Sequence, residues 1–240
     1  MRLSLSDRRY RALRRLHSLS GIVPVGLFLI LHFLANAVAI QGPAAFNRAA
    51  EWLDHLPLVR VLEVLAIGLP ILFHIVLGLL LGNTEQAILG RHAYPRDWMI
   101  LLQRVTGGYL VLYVVFHVWG TRFSTEVLKG ESDLFGLMHR QLEDPAIFAF
   151  YVLAVLAACS HFGIGLIGMA GHWEFASTSG ATQKIARLGF VVMVVLGLVG
   201  LNAVLAFVSR PARWLEPAGA RAADPAGGDS APARIRPGAP

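Results

Sequence analysis

Five stretches of about twenty apolar residues divide this chain, and they restrict its fold more than any other feature. They cover residues 21–40, 58–82, 105–123, 146–171 and 185–208. A helix needs about twenty such residues to cross a ~30 Å hydrocarbon core. Backbone groups in lipid must find partners within their own helix or within a closed barrel. A barrel strand would run for about ten residues of alternating polarity, and these stretches do not alternate. The reading is an all-α integral membrane protein with five transmembrane helices, the first four forming a bundle. Composition agrees: 55% of residues are hydrophobic and 15% charged, against about 45–50% and about 25% in soluble domains.

The joining segments leave no room for a second domain, although residues 46–56 and 125–138 suit short interfacial helices. Residues 1–209 are read as one membrane domain. Residues 210–240, rich in Pro, Ala, Gly and Arg, are expected to be disordered, because they lack the apolar content that offsets ordering entropy. No internal repeat is legible beyond one His on each of the first four spans. Cys159 is the single cysteine. It excludes an internal disulfide, a CxxCH attachment site and a cysteine-ligated iron–sulfur cluster within the chain.

The net charge of +6 does not point to nucleic acid, since the basic residues flank the spans. Arg8, Arg9, Arg11, Arg14 and Arg15 precede the first span. Arg91, Arg96 and Arg104 lie between the second and third, and Lys184 and Arg187 before the fifth. In the other loops Arg48, Arg122, Lys129 and Arg140 are diluted by acidic residues. The positive-inside rule then puts the N-terminus in the cytoplasm and the C-terminus outside. The arginines of the tail run against the rule, and the cluster before the first span decides. A cleaved signal peptide ending near Ala37-Val38-Ala39 would discard His32 and strand His117 in lipid, so the first span is read as retained.

Nine histidines occur. His55, His92 and His139 fall in loops, and His17 and His172 at inner helix ends. His32, His74, His117 and His161 lie deep in the first four spans, one each. A lone intramembrane His is explained as well by an interhelical hydrogen bond, but ionisable groups at that depth are costly and tend to mark function, and four of them outweigh that explanation. At 1.5 Å rise per residue, His32 and His117 sit roughly 18–20 Å from the inner face, and His74 and His161 roughly 6–8 Å. Depth therefore pairs His32 with His117 and His74 with His161. Two imidazoles facing each other across a bundle suit axial ligation of a haem iron. Gly78 and Gly165 each follow an inner His by four residues, on its own face, and suit either clearance for a porphyrin or helix packing by small residues. Arg15, His17, Ser18, Trp98, Arg104, His172 and Lys184 border the inner pair and could bond haem propionates, Arg104 and His17 foremost. Topology and headgroup contact explain them equally well.

Four stretches then resemble a known family: RRLHSLSGIVPVGLFLILHFLANA (14–37), FNRAAEWLDHLPLVRVLEVLAIGLPILFHIVLG (46–78), QRVTGGYLVLYVVFHVWGTR (103–122) and FYVLAVLAACSHFGIGL (150–166). They are similar to the cytochrome b558 membrane anchors of succinate dehydrogenase and fumarate reductase, of the two-haem, single-anchor type. The resemblance covers about residues 8–208. It implies two b haems paired as the depths pair the histidines, a flavoprotein and an iron–sulfur protein as partner subunits, and a bacterial cytoplasmic membrane. It also implies electron transfer between the iron–sulfur subunit and a quinone, with menaquinone favoured, near the outer haem. At that level Glu63 is the best candidate to exchange protons with quinone, since a carboxylate is out of place there without a role. Trp119 and Arg122 lie at the same height, where an interfacial aromatic and a snorkelling arginine are also expected.

Three rivals are weighed against this. The cytochrome of quinol–cytochrome c reductases carries two His on each of two helices, whereas here four helices carry one each. Hydrogenase and formate dehydrogenase anchors typically have four spans and another His arrangement. A transporter or proton channel using His as a relay would hold no haem.

Overall fold

The computed structural model describes residues 7–84, 95–128, 130, 133–174 and 178–209. Among them there is no strand. Five helices are long and apolar enough to cross a membrane: α1 (Arg8–Gln41), α3 (Val59–Gly82), α4 (Pro95–Arg122), α6 (Pro145–His172) and α7 (Ser179–Val208). The shortest, α3, has 24 residues, about 36 Å at the helical rise. Two short helices lie between spans, α2 (Pro43–Asp54) and α5 (Leu134–Leu142). The expected interfacial stretch 125–138 divides into a single turn, Thr125–Leu128, and α5.

Local chemistry places the helix ends. The Asp144 carboxylate accepts from the Ala146 and Ile147 amides at 2.7 and 3.2 Å, with Pro145 in the first turn of α6, so two orphan donors are satisfied where proline removes a third. The Thr178 hydroxyl accepts from the Ala181 amide at the start of α7. The Asp133 carboxylate caps α5 through the Gly136 amide and also accepts from Asn47 of α2 at 2.9 Å, while the Asn47 carbonyl oxygen accepts from the Phe135 amide. Asn47 thus clasps α2 to α5.

Two spans are not regular α-helices. In α1 the segment Gly21–Val25 is π-helical and contains Pro24. In α3 the segment Glu63–Gly68 is π-helical and ends just before Leu69 and Pro70. A proline inside a helix loses one bond and clashes with the carbonyl four residues back; the wider turn relieves that clash by inserting one residue. In α4 the first proline-free turns are regular, and Arg96, Trp98 and Arg104 lie within this helix rather than in a loop. Arg91 and His92 fall outside the described residues, as does the tail 210–240.

The tightest packing joins α6 to α7 and both to α1. Phe33, Tyr151, Val155, Cys159, Phe162, Leu196, Val204 and Phe207 are buried together. Gly163 and Gly189 let α6 and α7 cross closely: a Cβ on either would stand 2.8 Å from the other's carbonyl oxygen. Small residues at such crossings are how helices associate in lipid, where no hydrophobic force draws them together. Leu27, Leu31, Leu65, Leu72, Leu112, Val115 and Leu198 point outward, as a lipid-facing surface requires. Helix α3 leans on α1, α4 leans on α6, and α3 and α4 touch each other sparingly. The four histidine-bearing spans are therefore two hairpin-like pairs, with α7 as a buttress behind.

Candidate functional site

The four span histidines come together in two pairs. The His32 and His117 ring centroids are 5.8 Å apart with planes at 81°, and those of His74 and His161 are 6.1 Å apart at 84°. An ion bonded on opposite sides to two imidazole nitrogens at ~2 Å each separates the ring centroids by about 6 Å. Both spacings match. A porphyrin supplies four nitrogens to its iron and leaves two axial positions for groups such as a pair of imidazoles. The residues present fit that group.

The pair His74/His161 lies at the end of the bundle where α1 begins. Its two imidazoles are held alike. The Nδ1 of His74 donates to the His17 carbonyl at 3.1 Å, with the Ser20 hydroxyl 3.2 Å away. The Nδ1 of His161 donates to the Gln103 carbonyl at 3.1 Å, with the Thr106 hydroxyl 3.2 Å away. One residue further on, Gly21 and Gly107 leave room for the two rings. A Cβ on Gly107 would stand 3.0 Å from His161 Cε1, and one on Gly21 would overlap the His74 ring. Committing Nδ1–H to a carbonyl leaves the Nε2 lone pair as the one that could bind a metal.

The cradle is thus built twice, as His17-x-x-Ser20-Gly21 on α1 and Gln103-x-x-Thr106-Gly107 on α4. Gly78 and Gly165 extend the match. A Cβ on Gly78 would meet the His17 ring at 3.1 Å, and one on Gly165 would meet the Gln103 amide nitrogen at 3.7 Å. Gly78 therefore clears the His17 ring, Gly165 faces Gln103 at ordinary contact distance, and Gly21 and Gly107 clear the imidazoles. A repeat that the sequence hides is visible here, because the identities differ at two of its three positions. The spacing also differs by one. His32 lies eleven positions after Gly21, and His117 ten positions after Gly107. The residue inserted by the π-helical turn in α1 accounts for the difference.

The pair His32/His117 is held differently. His117 Nδ1 lies 3.2 Å from the Tyr151 hydroxyl, and Tyr113 stacks on the His117 ring with centroids 5.4 Å apart. The Asn36 amide is committed to the His32 carbonyl at 2.8 Å and stands 3.4 and 3.5 Å from the His32 ring nitrogens.

The residues expected around the first pair gather at the same end of the bundle, with several already engaged. His17 stacks on His74 at 4.0 Å and donates from Nδ1 to the His74 carbonyl. Arg15 is paired with Glu174 at 3.1 Å and lies over Trp173, whose Nε1 donates to the Ser18 hydroxyl. Arg104 is half-buried, while Trp98 and Lys184 are exposed. His172 ends α6, and its side chain lies outside the described residues. At the other end, Glu63 is not a solitary carboxylate: it accepts from Arg122 of α4 at 2.8 Å and from Arg60 at 3.2 Å, and Arg60 also reaches Asp54 at 2.9 Å. Trp119 faces outward, 71% exposed, against Phe123. Ser20, Thr106, Tyr151 and Gln141 escape sequence reasoning, because hydroxyls and amides are ordinary in spans and only their cross-helix partners single them out.

No protein-family model matches the chain. The succinate dehydrogenase cytochrome b558 subunit of Bacillus subtilis (strain 168) is 38% identical to it over 204 residues, which is 85% of this chain and 100% of that protein.

Proposed function

The chain belongs to the succinate dehydrogenase cytochrome b558 subunits, and from that premise we propose that it holds two b-type haems, one between His32 and His117 and one between His74 and His161. The observation that carries the proposal is the pair of opposed imidazole sets at 5.8 and 6.1 Å. Haem iron ligated by two imidazoles supplies one-electron transfer. The chain's own residues orient and tune it. Ser20, Thr106 and the carbonyls of His17 and Gln103 hold one ligand pair, and Tyr151 holds His117 of the other. Arg104 and His17 lead the candidates for the propionates of the group nearer the start of α1, with Arg15, Ser18, Trp98, His172 and Lys184 around them.

The arginines in the first turns of α1 orient this end toward the cytoplasm. Arg8, Arg9 and Arg11 are exposed there and form the docking surface for the iron–sulfur subunit, behind which stands the flavoprotein. The chain then carries electrons between that subunit and a quinone, menaquinone in our reading, on the outer side. Glu63 is the group that exchanges a proton with quinone at its Oε atoms. Arg122 and Arg60 fix its carboxylate at the outer mouth between α3 and α4, with Trp119 on the same rim.

A reduced-minus-oxidised spectrum of the full chain in membranes tests the reading. A b-type α-band that titrates in two steps is expected, and His32→Ala, His74→Ala, His117→Ala and His161→Ala should each remove one step. No such band, with protein present and haem supplied, overturns it. For the quinone site, Glu63→Gln should lower quinone turnover at least several-fold with both steps retained, and unchanged quinone kinetics would dismiss Glu63.

A further inference from the structure

Outside the cradle described above, one chain of hydrogen bonds runs from a span histidine to an interfacial helix. It starts at a main-chain carbonyl. The Gln141 amide nitrogen donates to the Gly120 carbonyl at 2.7 Å. A carbonyl can only accept, so this bond settles which way the Gln141 amide points, a choice that otherwise rests on the network. Its Oε1 then faces the Tyr151 hydroxyl at 3.4 Å. Oε1 can only accept as well, so Tyr151 must donate to it. The Tyr151 hydroxyl hydrogen being committed, its oxygen is left to accept, and the group beside it is His117 Nδ1 at 3.2 Å. His117 therefore carries its proton on Nδ1 and leaves Nε2 bare.

Each member is held in place. Tyr151 is 3% exposed. Gly120 sits three residues beyond His117 on α4, and a Cβ there would press on the Gln141 amide at 3.4 Å. Gln141 belongs to α5, which buries Phe135, Leu137 and Leu142 against the bundle. A partner that accepts from the far nitrogen of a ligating imidazole raises the electron donation of the near one. Bonds in series strengthen one another, so Gln141 makes the Tyr151 oxygen a better acceptor.

We propose that Tyr151 and Gln141 are positioning residues for His117: they fix its tautomer and lower the reduction potential of the iron it binds, so that α5 tunes the outer centre alone. This rests on the two-haem reading. The first pair uses main-chain carbonyls for the same task, which side-chain substitution cannot remove. Only in the second pair is the group facing Nδ1 of His117 a side chain without a main-chain carbonyl beside it.

The test is a redox titration of the full complex in membranes, with the ferric low-spin resonance signals recorded alongside. Tyr151→Phe keeps the ring and removes the acceptor. The outer component should become easier to reduce, with its ferrous-to-ferric ratio at fixed potential raised severalfold, and the inner component should not move. Gln141→Leu should shift the outer component in the same direction by less. Tyr109→Phe, which loses only the bond to the Phe150 carbonyl, should leave both where they were. An outer component unmoved by Tyr151→Phe, or both components moving equally, overturns the proposal. If Tyr151→Phe loses the outer component outright, Gln141→Leu decides: a shift supports the proposal and none overturns it. An unsubstituted chain without two b-type components would sink the two-haem reading instead.

Discussion

Single contacts separate the two histidine pairs, and single substitutions should separate them too. Ser20→Ala and Thr106→Ala remove matched hydroxyls from matched cradles, so each should disturb the His74/His161 component by a similar amount and leave the His32/His117 component unchanged in titration. A clear effect of one and none of the other would show that the likeness of the cradles is only geometric. Gly21→Ala sets a methyl group into the His74 ring, and overpacking of this kind costs about 1–3 kcal/mol. Haem occupancy at that pair should fall, whereas Gly82→Ala, with nothing near its Cβ, should leave the spectrum alone. The four histidines were legible in the sequence because an imidazole in lipid has few explanations. Their partners were not, since a serine or threonine in a helix usually bonds its own backbone, as Ser20 also does to the His17 carbonyl at 2.9 Å.

Among whole elements, the π-helical turns and the clasp of α2 to α5 matter most. The two π segments rotate the rest of α1 and α3 by one residue, and His32 and His74 both lie beyond such a turn. Pro24 and Pro70 could be read as kinks from the sequence, but which kind of turn they cause depends on what the helix packs against. The clasp of α2 to α5 has a pH dependence. The Asn47 amide, then the Gly136 amide, hold the Asp133 carboxyl below its ordinary range, with Arg140 adding to the effect and partial desolvation opposing it. A depressed carboxylate pKa stabilises the fold above the unfolded value of about 3.9 and loses that contribution as pH falls through the folded value. Protection of the amides at the start of α5, relative to their intrinsic exchange rates, should therefore hold at pH 6 and fall below about pH 4. Asn47→Ala should move the onset of that loss to higher pH, and an unmoved profile would remove Asn47 as its cause.

Over the whole molecule, α7 carries no ligand and yet makes the tightest contact in the fold. Gly163→Ala should push α7 off α6 at a cost of about 1–3 kcal/mol, seen as a lower thermal midpoint in detergent, while Gly197→Ala, with open space at its Cβ, should hold the midpoint. The spans, their number and the pairing of histidines by depth all follow from the sequence alone. Lipid allows the backbone only a helix over twenty apolar residues, and a helix converts residue number into depth at a constant rise. Only the tertiary structure decided which atoms hold His74, His117 and His161, that Glu63 meets Arg122, and that α1 with α3 repeats α4 with α6. Those facts rest on hydrogen bonds between residues 34 to 59 positions apart. Such bonds depend on the angle at which helices cross, and the hydropathy of a chain carries no record of that angle.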